Sequence, residues 1–244
     1  MDPVFEWLLR MGDNTLVLGH RVSEWCGHAP VLEEDIALAN TALDLIGQTQ
    51  LWLGLAGEIE GKRRDADALA YHRDVWDFRN LLIVEQPNRD FGHTMMRQFL
   101  FDAWHGLMLN ALQSHSNDRI AAIAEKSLKE VTYHFDRAAD TVIALGDGTE
   151  ESHARMQAAL DRLWPYVGEM FTADDVDRAV FDPSSLRDAF DAKAGAVLAE
   201  ATLTRPDKDF AHQGGKTGAR HTEHLGHMLA TMQFLPRAYP DAQW

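Results

Sequence analysis

Carboxylates and imidazoles interrupt apolar patterns in the first 140 residues of this chain, and their spacing could support metal chemistry. Asp44 sits between Leu43 and Leu45, with Gln48 one turn further on. Asp102 lies within RQFLFDAWHGLML, with His105 three residues later. Asp74 and Asp77 share the same i, i+3 separation, and His134 follows Glu130 by one turn. A buried carboxylate without a partner is costly, so each needs a hydrogen bond, a counter-charge or a metal. Spacings of three and four residues put two side chains on one helix face. Such pairs on adjacent helices match the donor set of a carboxylate-bridged di-iron centre, built from one Glu on each of two helices and a Glu-x-x-His on each of two more. The competing reading is a buried ion-pair and hydrogen-bond network. Asp74-Val75-Trp76-Asp77 lacks the histidine, and Val131-Thr132-Tyr133-His134 lacks the leading carboxylate. Glu130 with His134, and Asp102 with His105, are the pairs that could still serve.

Turn signals cut the chain into helix-length pieces. Asp2-Pro3 is an N-cap followed by an N1 proline. Stops fall at Gly27-His28-Ala29-Pro30, Gly57 to Gly61, Gln86-Pro87-Asn88 and Gly146-Asp147-Gly148. The expected core helices are 31–57, 65–85, 91–115 and 118–145. Extra helices are expected at 3–26, 150–171 (kinked at Pro165), 183–204 and 221–239, with a short one from Thr172. Apolar residues cover nearly every face of IALANTALDLIGQTQLWLGLA, which predicts a helix buried all round. Period-two alternation is too short-lived anywhere for a strand. Long helices on short turns predict an all-α protein, a four-helix bundle with additional helices in a single domain, 1–244.

Composition narrows the function classes. Hydrophobic residues make up 45% and charged residues 25%, which argues against disorder. The net charge of −15 disfavours nucleic acid and anionic membrane surfaces. The one basic run, Lys62-Arg63-Arg64, is followed at once by Asp65 and Asp67. The single cysteine, Cys26, cannot form an intrachain disulfide. The start, MDPVFEWLLR, lacks the basic region of a signal peptide. No apolar run reaches the ~18 residues of a membrane span. A cytoplasmic protein is expected.

Other motifs carry less. Gly214-Gly215-Lys216-Thr217-Gly218 has Phe210 where a Walker loop needs its first glycine, and ATP binding is rejected. The loop 205–220 is read as a flexible connection, in which Lys216 or Arg220 could meet an anionic ligand. His221, His224 and His227 recur every third residue and drift around a helix by ~60° per step, so a surface or interface role is favoured over zinc.

The segments LRMGDNTLVLGHRVSEWCGHAP, LANTALDLIGQ, FRNLLIVEQPN, FDAWH, KEVTYH and GGKTGARHTEHLGHMLATMQFL make the chain recognisable. It resembles the structural (C) subunits of bacterial ring-type phenylacetyl-CoA 1,2-epoxidases, multicomponent monooxygenases with a ferritin-like fold. The resemblance covers nearly the whole chain. It implies a catalytic sister subunit with a full di-iron set, whose ligand positions fall here at Asp44, Asp74, Asp77, Asp102, Val131 and His134. An acid then stands for a histidine at Asp77, and Val131 replaces a bridging glutamate. The resemblance therefore implies a non-catalytic scaffold that holds no metal or other cofactor. Its partners would be the di-iron subunit, further subunits and an NADPH-dependent reductase, with a homodimer as a further option. The alternatives are a free-standing di-metal oxidase or oxygenase on a divergent ligand set that adds Glu130, and a small-molecule-binding bundle.

Overall fold

Helix α1 (Pro3–Ser23) begins where Asp2-Pro3 predicts: the Asp2 carboxylate accepts from the Val4 N–H at 2.8 Å, and Pro3 occupies the first turn. Helix α2 (Leu32–Glu60) carries Glu33, Glu34 and Asp35 in its first turn and ends at Gly61 in the left-handed conformation. Short α3 (Ala66–Tyr71) and α4 (Leu82–Glu85) follow, then α5 (Phe91–Leu112) capped by Asp90, and α6 (Asp118–Gly146) capped by Asn117. The second half contributes α7 (Glu150–Leu163), α8 (Asp175–Val180), α9 (Arg187–Glu200), α10 (Glu223–Met232) and α11 (Phe234–Ala238). The computed structural model describes residues 2–207, 210–240 and 242. The expected domain 1–244 and loop 205–220 also include residues 1, 208, 209, 241, 243 and 244, which lie outside the described residues. Among the described residues there is no strand, and no helix is long and apolar enough to cross a membrane.

Residue pairing gives the helix directions. Gly12 of α1 packs on Leu53 of α2 and Gly19 on Ile46, so the two run antiparallel. Phe99 meets Phe135, and Gly106 faces Val131, making α5 and α6 antiparallel as well. Trp25, just beyond the end of α1, donates to Thr94 near the start of α5, whereas Trp7 and Met11 share a small cavity with Trp104 and Met108. The order is therefore up, down, down, up over α1, α2, α5 and α6. Two consecutive core helices pointing the same way need one long crossover, the ferritin-like arrangement.

That crossover is the segment expected as core helix 65–85. It forms α3, a 3₁₀ turn at Val75–Asp77 and α4, with extended backbone at Asp74, Phe78 and Leu81. Local polar bonds outcompete a continuous helix there. The Asp77 carboxylate accepts from the Asp74 N–H at 3.2 Å, and the Arg73 guanidinium is buried against Asp13 of α1 in a two-pronged ion pair. The fourth core position belongs to α1, expected as an extra helix; its Trp7, Leu8, Leu16, Val17 and Leu18 are all buried. Helix 150–171 changes to a 3₁₀ helix at Trp164–Phe171, with Pro165 in its first turn. Helix α2 is not buried all round, contrary to the expectation from its sequence: Leu32, Ile36 and Leu43 are exposed.

Candidate functional site

The seam between α2 and α6 brings together several of the expected residues. His134 Nε2 lies 3.0 Å from Asp44 Oδ2, and one turn away the Gln48 amide donates to Glu130 Oε2 at 2.9 Å. The Glu130–His134 i, i+4 pair thus faces an i, i+4 pair on α2. Asp102, on α5, is fully buried, and the Gln98 amide one turn earlier donates to both its oxygens at 3.0 and 2.9 Å. His105 does not bond Asp102. It is buried with its ring against Phe101 and Trp104.

Desolvation dominates the electrostatics, because water is displaced and few counter-charges replace it. Burial pushes Asp102 well above the usual carboxylate range, against the opposing pull of Gln98 and Lys193. Burial takes His105 down to about 3 and lowers His134 despite its bond to Asp44. Glu130 is raised by burial, with Gln48 opposing. Several polar atoms here lack a protein partner: Gln48 Oε1, Gln98 Oε1, both His105 nitrogens, His134 Nδ1 and Ser127 Oγ.

The remaining expected ligand positions are elsewhere or cannot ligate. Asp74 and Asp77 are exposed on the crossover's 3₁₀ turn, where Asp74 pairs with Arg237 at 3.0 Å. Val131 is completely buried with its methyl against Gly106, an apolar contact between α5 and α6. Among the described residues, no three His, Cys, Asp or Glu side chains converge as a metal site. The residues do not fit a di-iron centre. Two of the six positions stand outside the four-helix core and one carries no donor atom.

A second polar centre was not anticipated. Glu169, buried in the 3₁₀ helix, accepts from the Leu82 N–H at 2.8 Å with one oxygen. Its other oxygen accepts from the Gly214 and Gly215 N–H groups at 2.9 and 2.8 Å, and from Lys216 N–H at 3.4 Å. Glu85 at the end of α4 accepts from Asn80, His221 and the N–H and hydroxyl of Thr222 at 2.5 to 2.9 Å. The 214–222 segment is therefore pinned on two carboxylates, which corrects its reading as a flexible connection. Gly215 passes so close to the Asn80 carbonyl that a Cβ would collide with it. Lys216 is no ligand donor either: its ammonium is buried on Asp177 and the Thr172 carbonyl. Arg220 is exposed. His221 is buried on Glu85 while His227 is exposed, so the three histidines do not act as one group. The signal for Glu85 and Glu169 was an acid inside an apolar run, in LLIVEQP and WPYVGEMF.

The sequence model of the phenylacetic acid catabolic protein family matches residues 1–244. A relative from Escherichia coli (strain K12), the C component among the subunits of 1,2-phenylacetyl-CoA epoxidase, is 45% identical over 250 residues, an alignment that spans the whole of both chains. The chain belongs to the phenylacetic acid catabolic protein family.

In this family member, Asp102 is an internal acid stabilised in its neutral form, and that has a measurable consequence. Its folded pKa lies above the unfolded value, so over the intervening pH range the folded state binds more protons and loses stability as pH rises. Asp102→Asn keeps the shape and removes the titration. The variant is expected to gain on the parent in urea unfolding as pH rises from the ordinary carboxylate range through the folded pKa, and to show no such gain below that range. A stability difference independent of pH would contradict the assignment.

Proposed function

We propose that this chain is the non-catalytic scaffold subunit of a phenylacetyl-CoA 1,2-epoxidase, and that it acts by binding and stabilising a di-iron catalytic subunit. The observation that carries the proposal is the end-to-end likeness to the C component of that enzyme. The residues support it. A bundle of ferritin-like topology keeps Asp102 and His134 buried and Asp44 half-buried, but has Val131 at a bridging position and Asp74 and Asp77 on an outer turn. The bonds Asp44–His134 and Gln48–Glu130 then serve as structural ties between α2 and α6. The partner supplies the iron and the oxygen chemistry, a reductase supplies electrons from NADPH, and the complex works in the cytoplasm. The free-standing di-metal alternative would require ligands from positions that do not converge.

Co-expression with the catalytic subunit, sizing and metal analysis test this. The expected result is co-elution at micromolar concentration, iron well below one per polypeptide in this chain alone, and no oxygenation of phenylacetyl-CoA without the partner. Two tightly bound irons per isolated chain, or separate elution, would overturn it.

A further inference from the structure

Acids outnumber Lys and Arg by 38 to 23 in this chain, and most of its guanidinium groups are held by a carboxylate. Arg89, Arg162 and Arg220 are exposed and, among the described residues, form no ion pair. Arg162, in the last turn of α7, offsets that helix's dipole. Arg89 has the opposite setting. It precedes Asp90, the cap of the 22-residue α5, where the dipole disfavours a cation, and its φ of 54° lies in the left-handed region.

The fold gathers the three on one surface. Helix α7 runs past the start of α5, with Arg155 3.9 Å from Asp90 and Met156 beside Gly92. Tyr166 follows Arg162 by four residues, and its ring stacks on His212 at 4.6 Å; the exposed Phe210 ring meets His212 edge-on at 4.9 Å. The pinned 214–222 segment delivers Arg220: its N–H donates to the Gly214 carbonyl at 3.2 Å, and Gly214 is tied to Glu169, three residues after Tyr166.

The charges report the same grouping. Burial, with the charges of Arg97, Arg89 and Arg162, holds His93 down to about 4, Asp90 opposing. Burial raises Tyr166, and Arg220 and Arg89 oppose it. Neighbouring acids are engaged elsewhere. Asp90 accepts from the His93 N–H, Asp161 from the Gln157 amide, and Glu24 is held by Arg21 and Asn88. His93, in the first turn of α5 and only 4% exposed, leaves its Nδ1 without a protein partner.

Guanidinium groups bind phosphate through paired N–H donors, a helix start adds favourable potential for an anion, and aromatic faces take a base by stacking. We propose that Arg89, Arg162 and Arg220, together with the start of α5, bind the phosphates of a nucleotide-type ligand whose ring rests on the Tyr166–His212–Phe210 aromatic run. Three cations that converge on two side chains, Tyr166 and His93, suit a compact ligand of several negative charges better than an extended acidic surface. This site is independent of the scaffold role and needs no partner chain. CoA thioesters, NADPH and ATP all carry the required chemistry.

Calorimetric titration of the full-length chain at low salt with CoA, 3′-dephospho-CoA, NADPH, ATP and pyrophosphate tests the proposal. At least one nucleotide is expected to bind with a Kd below about 100 μM, and pyrophosphate about tenfold more weakly for want of the ring. The tightest binder identifies the source, and a loss on removing the 3′-phosphate selects CoA. Arg89→Ala, Arg162→Ala and Arg220→Ala are each expected to weaken binding about tenfold, the loss of one charge-assisted hydrogen bond, with the circular dichroism unchanged. Arg63→Ala removes the same charge from another exposed arginine, just after α2, and is expected to leave binding unchanged. Nucleotide affinities no better than millimolar, or an Arg63→Ala loss equal to the other three, would overturn the site. Pyrophosphate binding as tight as that of the nucleotides would overturn the stacking assignment. Binding of heparin but of none of these small molecules would make the patch a macromolecular contact and overturn the inference.

Discussion

Val131→Glu is expected to destabilise the isolated chain by about 3–5 kcal/mol, because the new carboxylate is buried without a counter-charge. Val131 has no exposed surface and its methyl packs on Gly106. The nearest helix neighbours toward the core are Ser127 and His134, neither of them a resident cation. At about 2–4 °C per kcal/mol for a chain of this size, the melting temperature falls by roughly 10 °C. Val131→Gln has the same bulk without the charge and is expected to cost less. The charge-specific part should shrink at low pH, where the glutamate is taken up protonated. Fe(II) or Mn(II) is expected to leave both the variant and its combination with Asp77→His unchanged, since Asp77 sits exposed on the crossover turn. A metal-dependent recovery of several degrees in the double variant would show that the two positions share one site after all.

Glu169→Ala is expected to cost a comparable amount, about 3–5 kcal/mol, for a different reason. The carboxylate gathers N–H groups from Leu82, Gly214, Gly215 and Lys216, and truncation leaves those donors without their acceptor. Each buried donor left unpaired costs about 1–3 kcal/mol, reduced where water can enter the space. The loss should be local as well as global. With the 214–222 segment released on one side, limited trypsin digestion is expected to cut at Lys216 and Arg220 well before the parent is cut. Glu169→Gln keeps one acceptor oxygen and should fall between the two. Burial raises the Glu169 pKa, only partly offset by the four N–H groups. The folded state therefore holds its proton more tightly, and the parent loses stability as pH rises from the ordinary carboxylate range through the folded pKa. Glu169→Gln removes that loss. Equal cleavage rates for Glu169→Ala and the parent would mean that other contacts hold the segment.

These effects arise from groups of unequal legibility. Cap and stop signals are local, and they placed α1, α2, α5 and α6 within a few residues of their observed bounds, through Asp2-Pro3, Gly57 to Gly61, Gln86-Pro87-Asn88 and Gly146-Asp147-Gly148. Polar residues breaking apolar helical runs correctly marked Gln48, Asp102, His105 and His134 as interior groups, with Asp44 half-buried beside them, because burial of a polar side chain is written in the hydrophobicity of its neighbours. The family resemblance was visible without any coordinates, and the family match spans the chain.

The sequence alone misread residues 65–85. What breaks the expected helix, the pairing of Arg73 with Asp13, joins residues 60 positions apart. The same tertiary packing made α1 a core helix and removed Asp74 and Asp77 from the interior. Glu85 and Glu169 resemble ordinary acids near helix ends until the 214–222 segment folds back onto them from 45 or more residues away. The outward face of α2 was equally hidden, since hydrophobicity on every side of a helix does not say which sides the rest of the chain covers. Within this chain α1 and α6 cover two of those sides. Local sequence therefore determined where helices start, where they stop and which residues avoid water. Only long-range contacts decided which helices form the core, which acids meet, and which apolar face remains open.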